Sequence, residues 1–122
     1  MVPKFFTPEE ATKTLPYVKQ VVAEIQEVFQ EQLKTQDEER LEYLEHRLHE
    51  LIRELETAGG YLKDPRLGLI DFYGIRGDEI VWLCWKAGEE TINYWHGLTE
   101  GYAKRQLIVG WPDNQLNSPS TS

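Results

Sequence analysis

Residues 69–95 read LIDFYGIRGDEIVWLCWKAGEETINYW. Two runs rich in β-branched and aromatic residues, Leu69 to Tyr73 and Ile80 to Trp85, flank Arg76-Gly77-Asp78-Glu79. Such runs around a Gly-containing turn predict a β-hairpin, with positive φ at Gly77. Ala87-Gly88-Glu89-Glu90 predicts a second turn, and Thr91 to Trp95 a third strand. This stretch therefore reads as a small three-stranded antiparallel β-meander.

Toward the N-terminus the apolar period changes from two to three and four. Thr7-Pro8-Glu9-Glu10 has the residues of a capping box, with Pro8 where a missing N–H costs nothing. Pro16 disfavours a helical Leu15, so a short first helix and a break or kink are expected there. A second helix is predicted from about Pro16 to Lys34, its stripe made by Val18, Val22, Ile25, Phe29 and Leu33 and widened by Val21 and Val28. Asp37 is placed to cap the next helix, along which Leu41, Leu44, Leu48, Leu51 and Leu55 recur, with Ile52 beside them. Gly59-Gly60 ends it.

Two striped helices with so short a connection most simply form an antiparallel hairpin. One long helix through Thr35 and Gln36 is the competing geometry. Either seam resembles a coiled coil and is long enough to take a second copy of the chain. The expected fold is α+β: a long antiparallel helical hairpin (about 8–58) packed with the three-stranded meander (about 61–108). One domain spans 1–110, and the polar, turn-rich residues 111–122 are expected to be a disordered tail.

Composition narrows the function classes. A chain of 122 residues supports a single domain with a real core. Its net charge is −8, with thirteen acids against seven bases in residues 1–60 and eight against six in 61–122. Without a basic cluster, neither nucleic acid nor an anionic membrane surface is an expected partner. A lone cysteine, Cys84, excludes an intramolecular disulfide and fits a reducing compartment. The opening MVPKFFTPEE lacks the apolar core of a signal peptide, so a cytoplasmic setting is expected.

Half of the fourteen aromatic residues lie between Asp71 and Arg105, more than a small sheet needs for filler. Chemistry is sparser. His46 and His49, with Glu42 and Glu45 a turn earlier, could gather metal ligands on one helix face, but their spacing also suits a solvated face of ion pairs. Cys84 has only Lys86 nearby on its strand face to activate a thiol, and reads more simply as a small apolar residue. Arg76-Gly77-Asp78 reads as a turn. His96, at the end of a strand before Gly97, is the better functional candidate.

A recognition patch of Asp71, Trp85, Lys86, Glu89, Trp95, His96, Tyr102 and Arg105 is expected, because aromatic walls with a few polar groups build pockets and anchor interfaces. The bland alternative is that the tryptophans only seat the sheet on the helices.

The opening FFTPEEATKTLP and the block LKDPRLGLIDFYGIRGDEIVWLCWKAGEETINYWHGLTEGYAKRQ resemble the prokaryotic family called domain of unknown function 2203, over about residues 5 to 107. The matching positions are Lys63-Asp64, Gly68 to Phe72, Leu83 to Glu89, Trp95-His96 and Gly101 to Arg105. Lys86 stands where that family usually has Arg, Tyr102 where it has Phe, and Gly97 where it has Glu. The resemblance implies a small cytoplasmic bacterial protein and brings no activity with it.

The function expected is a non-catalytic module for a protein partner, a second copy or a small ligand, with no cofactor and no catalytic residues. The alternative is a small enzyme or metal-dependent sensor using His96 with Glu89 or Asp71.

Overall fold

The computed structural model describes residues 3–112. Helix α1 (Pro8–Lys34) and helix α2 (Glu38–Ala58) form the hairpin. Strands β1 (Gly60–Asp64), β2 (Leu69–Arg76), β3 (Glu79–Lys86), β4 (Tyr94–Gly97) and β5 (Gln106–Leu107) follow. They make one five-stranded sheet in chain order, with every neighbouring pair antiparallel. The α+β class stands, whereas the three-stranded meander becomes five strands. The two additions are short edges, too brief to show a period-two pattern.

Both helix starts form as their residues dictate. Thr7 accepts from the Glu10 amide while Glu10 accepts from the Thr7 amide, both at 3.0 Å. Asp37 accepts from the amides of Glu39 and Arg40. Between the helices Thr35 is extended (φ −90°, ψ 147°), so the hairpin wins over a single long helix. Gly59 closes α2 at φ 107°, a left-handed conformation, with the Phe6 ring against it.

The break expected at Pro16 does not occur, and α1 runs through it. Leu15 before it and Val18 after it are both buried. Core packing on this face therefore outweighs the roughly 3 kcal/mol that an interior proline costs. The α1 stripe is also shifted. Val21 and Val28 are buried with Val18, Val22 and Ile25, while Leu33, in the last turn of α1, is 63% exposed and outside the core. In α2, Leu44, Leu51 and Leu55 are buried. Arg47 braces the hairpin from outside, reaching Glu24 on α1 at 2.8 Å and Glu50 on its own helix at 3.1 Å.

The hairpin covers one face of the sheet. Ile70, Phe72, Leu83 and Trp85 join the helix residues in one core, with Trp95 packed against it. By strand alternation, Asp71, Tyr73, Trp82, Cys84, Tyr94 and His96 point to the opposite face. Arg76 pairs with Glu79 across Gly77-Asp78, and only Gly77 (φ 66°) has positive φ, the pattern of a type II′ hairpin turn.

The third strand lies later than Thr91–Trp95. Ile92 is buried against the helices and its amide donates to the Thr12 hydroxyl of α1, so this segment is anchored to the helix rather than paired in the sheet. Trp111 packs against the core and meets Trp95 edge-on, so the ordered chain passes beyond 110. The rest of the expected tail, 113–122, lies outside the described residues.

Candidate functional site

The sheet face turned away from the helices carries an unusual polar centre. Asp71 on β2 and Cys84 on β3 are direct cross-strand partners, and His96 on β4 is paired with Trp82, two residues from Cys84. The register thus brings three chemically different side chains from adjacent strands to one place. Asp71 is 1% exposed, His96 3% and Cys84 wholly buried. Their potential ligand atoms lie within 4.8 Å of one another.

His96 Nε2 lies 3.0 Å from Asp71 Oδ2, and its Nδ1 donates to the Gly97 carbonyl at 2.9 Å. Two acceptors facing both nitrogens favour the doubly protonated ring. Burial opposes that charge. The hydrogen bonds to Asp71 and Gly97, with the charges of Asp71 and Glu100, outweigh it and hold the His96 pKa above its ordinary value. Glu100 sits close because its carboxylate accepts from the Gly97 amide at 2.9 Å. A carboxylate thus stands beside this turn although Gly97 itself has none.

The Asp71 carboxylate is only half used: Oδ1 is buried without a hydrogen-bond partner. Burial, then the charge of Asp71, pushes the Cys84 thiol far above its ordinary range, against a smaller opposing pull from Arg105. Cys84 is therefore no thiolate nucleophile in this state. The cation near it is Arg105, with Nη1 at 3.9 Å from Sγ, and not Lys86.

Arg105 is itself held by Glu89, through Nη1 at 3.2 Å to Oε1 and Nη2 at 3.0 Å to Oε2, and lies over the rings of Tyr94 and Tyr102. Glu89 is positioned in turn by the Lys86 amide, which donates to Oε1 at 2.9 Å. Farther along the same face, Tyr73 stacks on Trp82 at 4.2 Å, Tyr61 meets both edge-on, and Lys63 lies over Trp82 at 4.1 Å.

The expected patch is therefore divided. Asp71, His96, Glu89, Tyr102 and Arg105 gather on the outer face or over it. Trp85 lies on the helix side, fully packed, with Nε1 donating to the Glu89 carbonyl. Trp95 also faces that side, under the Arg76 guanidinium at 4.5 Å. His96 is within the sheet rather than at an open mouth, and its carboxylate partner is Asp71, not Glu89. Trp85 cannot share a surface with Cys84 because neighbours on a strand point to opposite faces.

Sequence reasoning left Cys84 and Tyr94 outside this group. The signal lay in register: pairing Asp71 with Cys84 and Cys84 with Tyr94 sets them on one face. Glu42, Glu45, His46 and His49 are all exposed on α2. Among the described residues, Asp71, Cys84 and His96 are the group of His, Cys and acidic side chains close enough to share an ion.

A cleft of about 270 Å³ lies on the helix side between α1 and the turn after β3. Its polar groups are already engaged, Lys19 Nζ with the Glu90 carbonyl at 3.3 Å and Gln26 Nε2 with the Arg66 carbonyl at 3.1 Å. No helix among the described residues is long and apolar enough to cross a membrane.

No curated protein and no solved structure matches the chain. Residues 29–108, most of the chain and all of the sheet up to its last strand, match an uncharacterized conserved family. The matched span contains every residue of the polar centre and of the cover above it. The chain belongs to the family of uncharacterized conserved proteins called domain of unknown function 2203.

Proposed function

We propose that this protein is a non-catalytic binding module whose working surface is the sheet face turned away from the helices. One observation carries this reading. Among the described residues no α-helix covers that face, yet it is built from Tyr61, Tyr73, Trp82 and Tyr94 around a buried Asp71–His96 pair. A solvated face of an antiparallel sheet ordinarily alternates to small or charged polar side chains. Large amphipathic rings beside Arg105 and Lys63 are the composition of interface and ligand anchors.

The buried pair and the Arg105–Glu89 pair belong to the floor of that surface, and contact falls to the rim: Tyr61, Lys63 and Tyr102. Rings of Tyr and Trp with cations above them favour a ligand that is flat or apolar and carries an acidic group.

Native mass spectrometry of untagged protein purified from its own host tests this. A co-purifying protein or small molecule is expected, and it is lost in a folded Lys63→Glu/Tyr102→Ser variant. A chain that is bare under gentle purification, or a bound species indifferent to both rim substitutions, overturns the reading.

A further inference from the structure

We propose that Asp71, Cys84 and His96 form a three-residue site for a zinc-class divalent cation, whatever the face above them binds. The three donors come from three adjacent hydrogen-bonded strands, so the frame is rigid. Their ligand atoms already fall within 4.8 Å of one another. Zinc holds S, N and O donors at about 2.0–2.3 Å, which sets tetrahedral neighbours about 3.3–3.8 Å apart. Small side-chain rotations close the difference.

Two further observations point to a cation. The first is the partnerless Oδ1 of Asp71, on a side chain 1% exposed. A buried carboxylate oxygen left without a hydrogen bond is costly, and a cation held between it and the neighbouring Cys84 sulfur would satisfy it. The second is the outer bond of the imidazole. His96 Nδ1–H is tied to the Gly97 carbonyl, which leaves Nε2 as the inward atom. Metal-bound histidines use this arrangement to fix ring and tautomer.

Cys84 supplies the soft donor, and the set of one sulfur, one nitrogen and one carboxylate suits zinc or iron better than magnesium or calcium. Charge balances as well: a dication enters, and the Cys84 thiol proton and the proton shared between His96 Nε2 and Asp71 Oδ2 leave. The fourth position falls to the second Asp71 oxygen or to water, and Arg105 beside Sγ supports the thiolate.

The test uses the full chain, stripped with chelator under reducing conditions and titrated with Co2+ before and after refolding. One equivalent is expected, with a thiolate-to-cobalt charge-transfer band and tetrahedral visible bands, both bleached by Zn2+. Cys84→Ser removes the charge-transfer band, and Asp71→Asn weakens Zn2+ by more than about 100-fold, beyond what outer partners of a ligand control. A His46→Gln/His49→Gln variant behaves as the parent.

X-ray absorption of the zinc-loaded parent chain keeps the test open if the variants fail to fold: one sulfur with nitrogen and oxygen donors is expected. Failure of both native and refolded chain to take one equivalent overturns the proposal. So does a metal shell without sulfur, or a site that vanishes with His46 and His49.

Discussion

At the scale of single residues, the Asp71–His96 pair joins chemistry to stability. His96 stands with both ring nitrogens engaged, and Asp71 with only one oxygen engaged. Removing the ring in His96→Ala leaves a buried carboxylate with neither oxygen partnered, and a loss of about 3–5 kcal/mol is expected in urea unfolding. The metal-free chain should also be pH-dependent in a definite sense. Because the folded His96 pKa is raised, the folded state binds the proton more tightly than the unfolded chain. The stabilisation is fully present below the unfolded value of about 6.5 and is lost as pH rises through the folded value. Urea midpoints should therefore fall on the alkaline side, and Asp71→Asn should flatten that fall. An unchanged profile in Asp71→Asn would remove the pair from this account. His96 and Asp71 were both legible as functional candidates in the sequence, which left Asp71 and Glu89 open as the partner of His96. A histidine before a glycine has several acids in reach, and only the strand register selects among them.

At the scale of elements, local chemistry spoke clearly wherever a backbone group needed a partner. Thr7, Asp37, Gly59 and Gly77 sit where caps and turns require them, because orphan amides and positive φ leave few alternatives. Gly59→Ala tests this: a Cβ there meets the Phe6 ring at 2.3 Å while the backbone holds φ at 107°. A loss of more than about 1 kcal/mol is expected in thermal or urea unfolding. Pro16 is the counter-example, since its local preference lost to the burial of Leu15 and Val18. The site is exposed and the helix already continuous, so Pro16→Ala should stabilise the fold by about 1–3 kcal/mol. A destabilised variant would show that the proline packs against something the helix needs. The edge strands β1 and β5 escaped the sequence because five and two residues carry too little periodicity.

At the scale of the whole molecule, the helical hairpin is the half that makes the core, and its leucine seam is already occupied. Leu44 and Leu51 are each 1% exposed, facing α1 and the sheet rather than an outside partner. Leu51→Asp should therefore unfold the chain, seen as a loss of helical circular dichroism. A folded variant that has merely lost a partner would return the seam to the list of docking surfaces. The recognition proposed above falls instead on the sheet face turned away from the helices, where rings and cations lie over the buried polar centre. The sequence alone determined the helix caps, the hairpin turn at Gly77, the α+β class and the stretch that holds the polar centre. Each follows from local rules of period, backbone conformation and capping, which need no knowledge of distant residues. Packing and pairing across the chain were needed to carry α1 through Pro16, to turn Trp85 toward the helices and Cys84 away, and to bring Asp71, Cys84 and His96 together. Those outcomes depend on which sheet face the helices cover and on strand register, where a one-residue slip would turn every side chain to the other side.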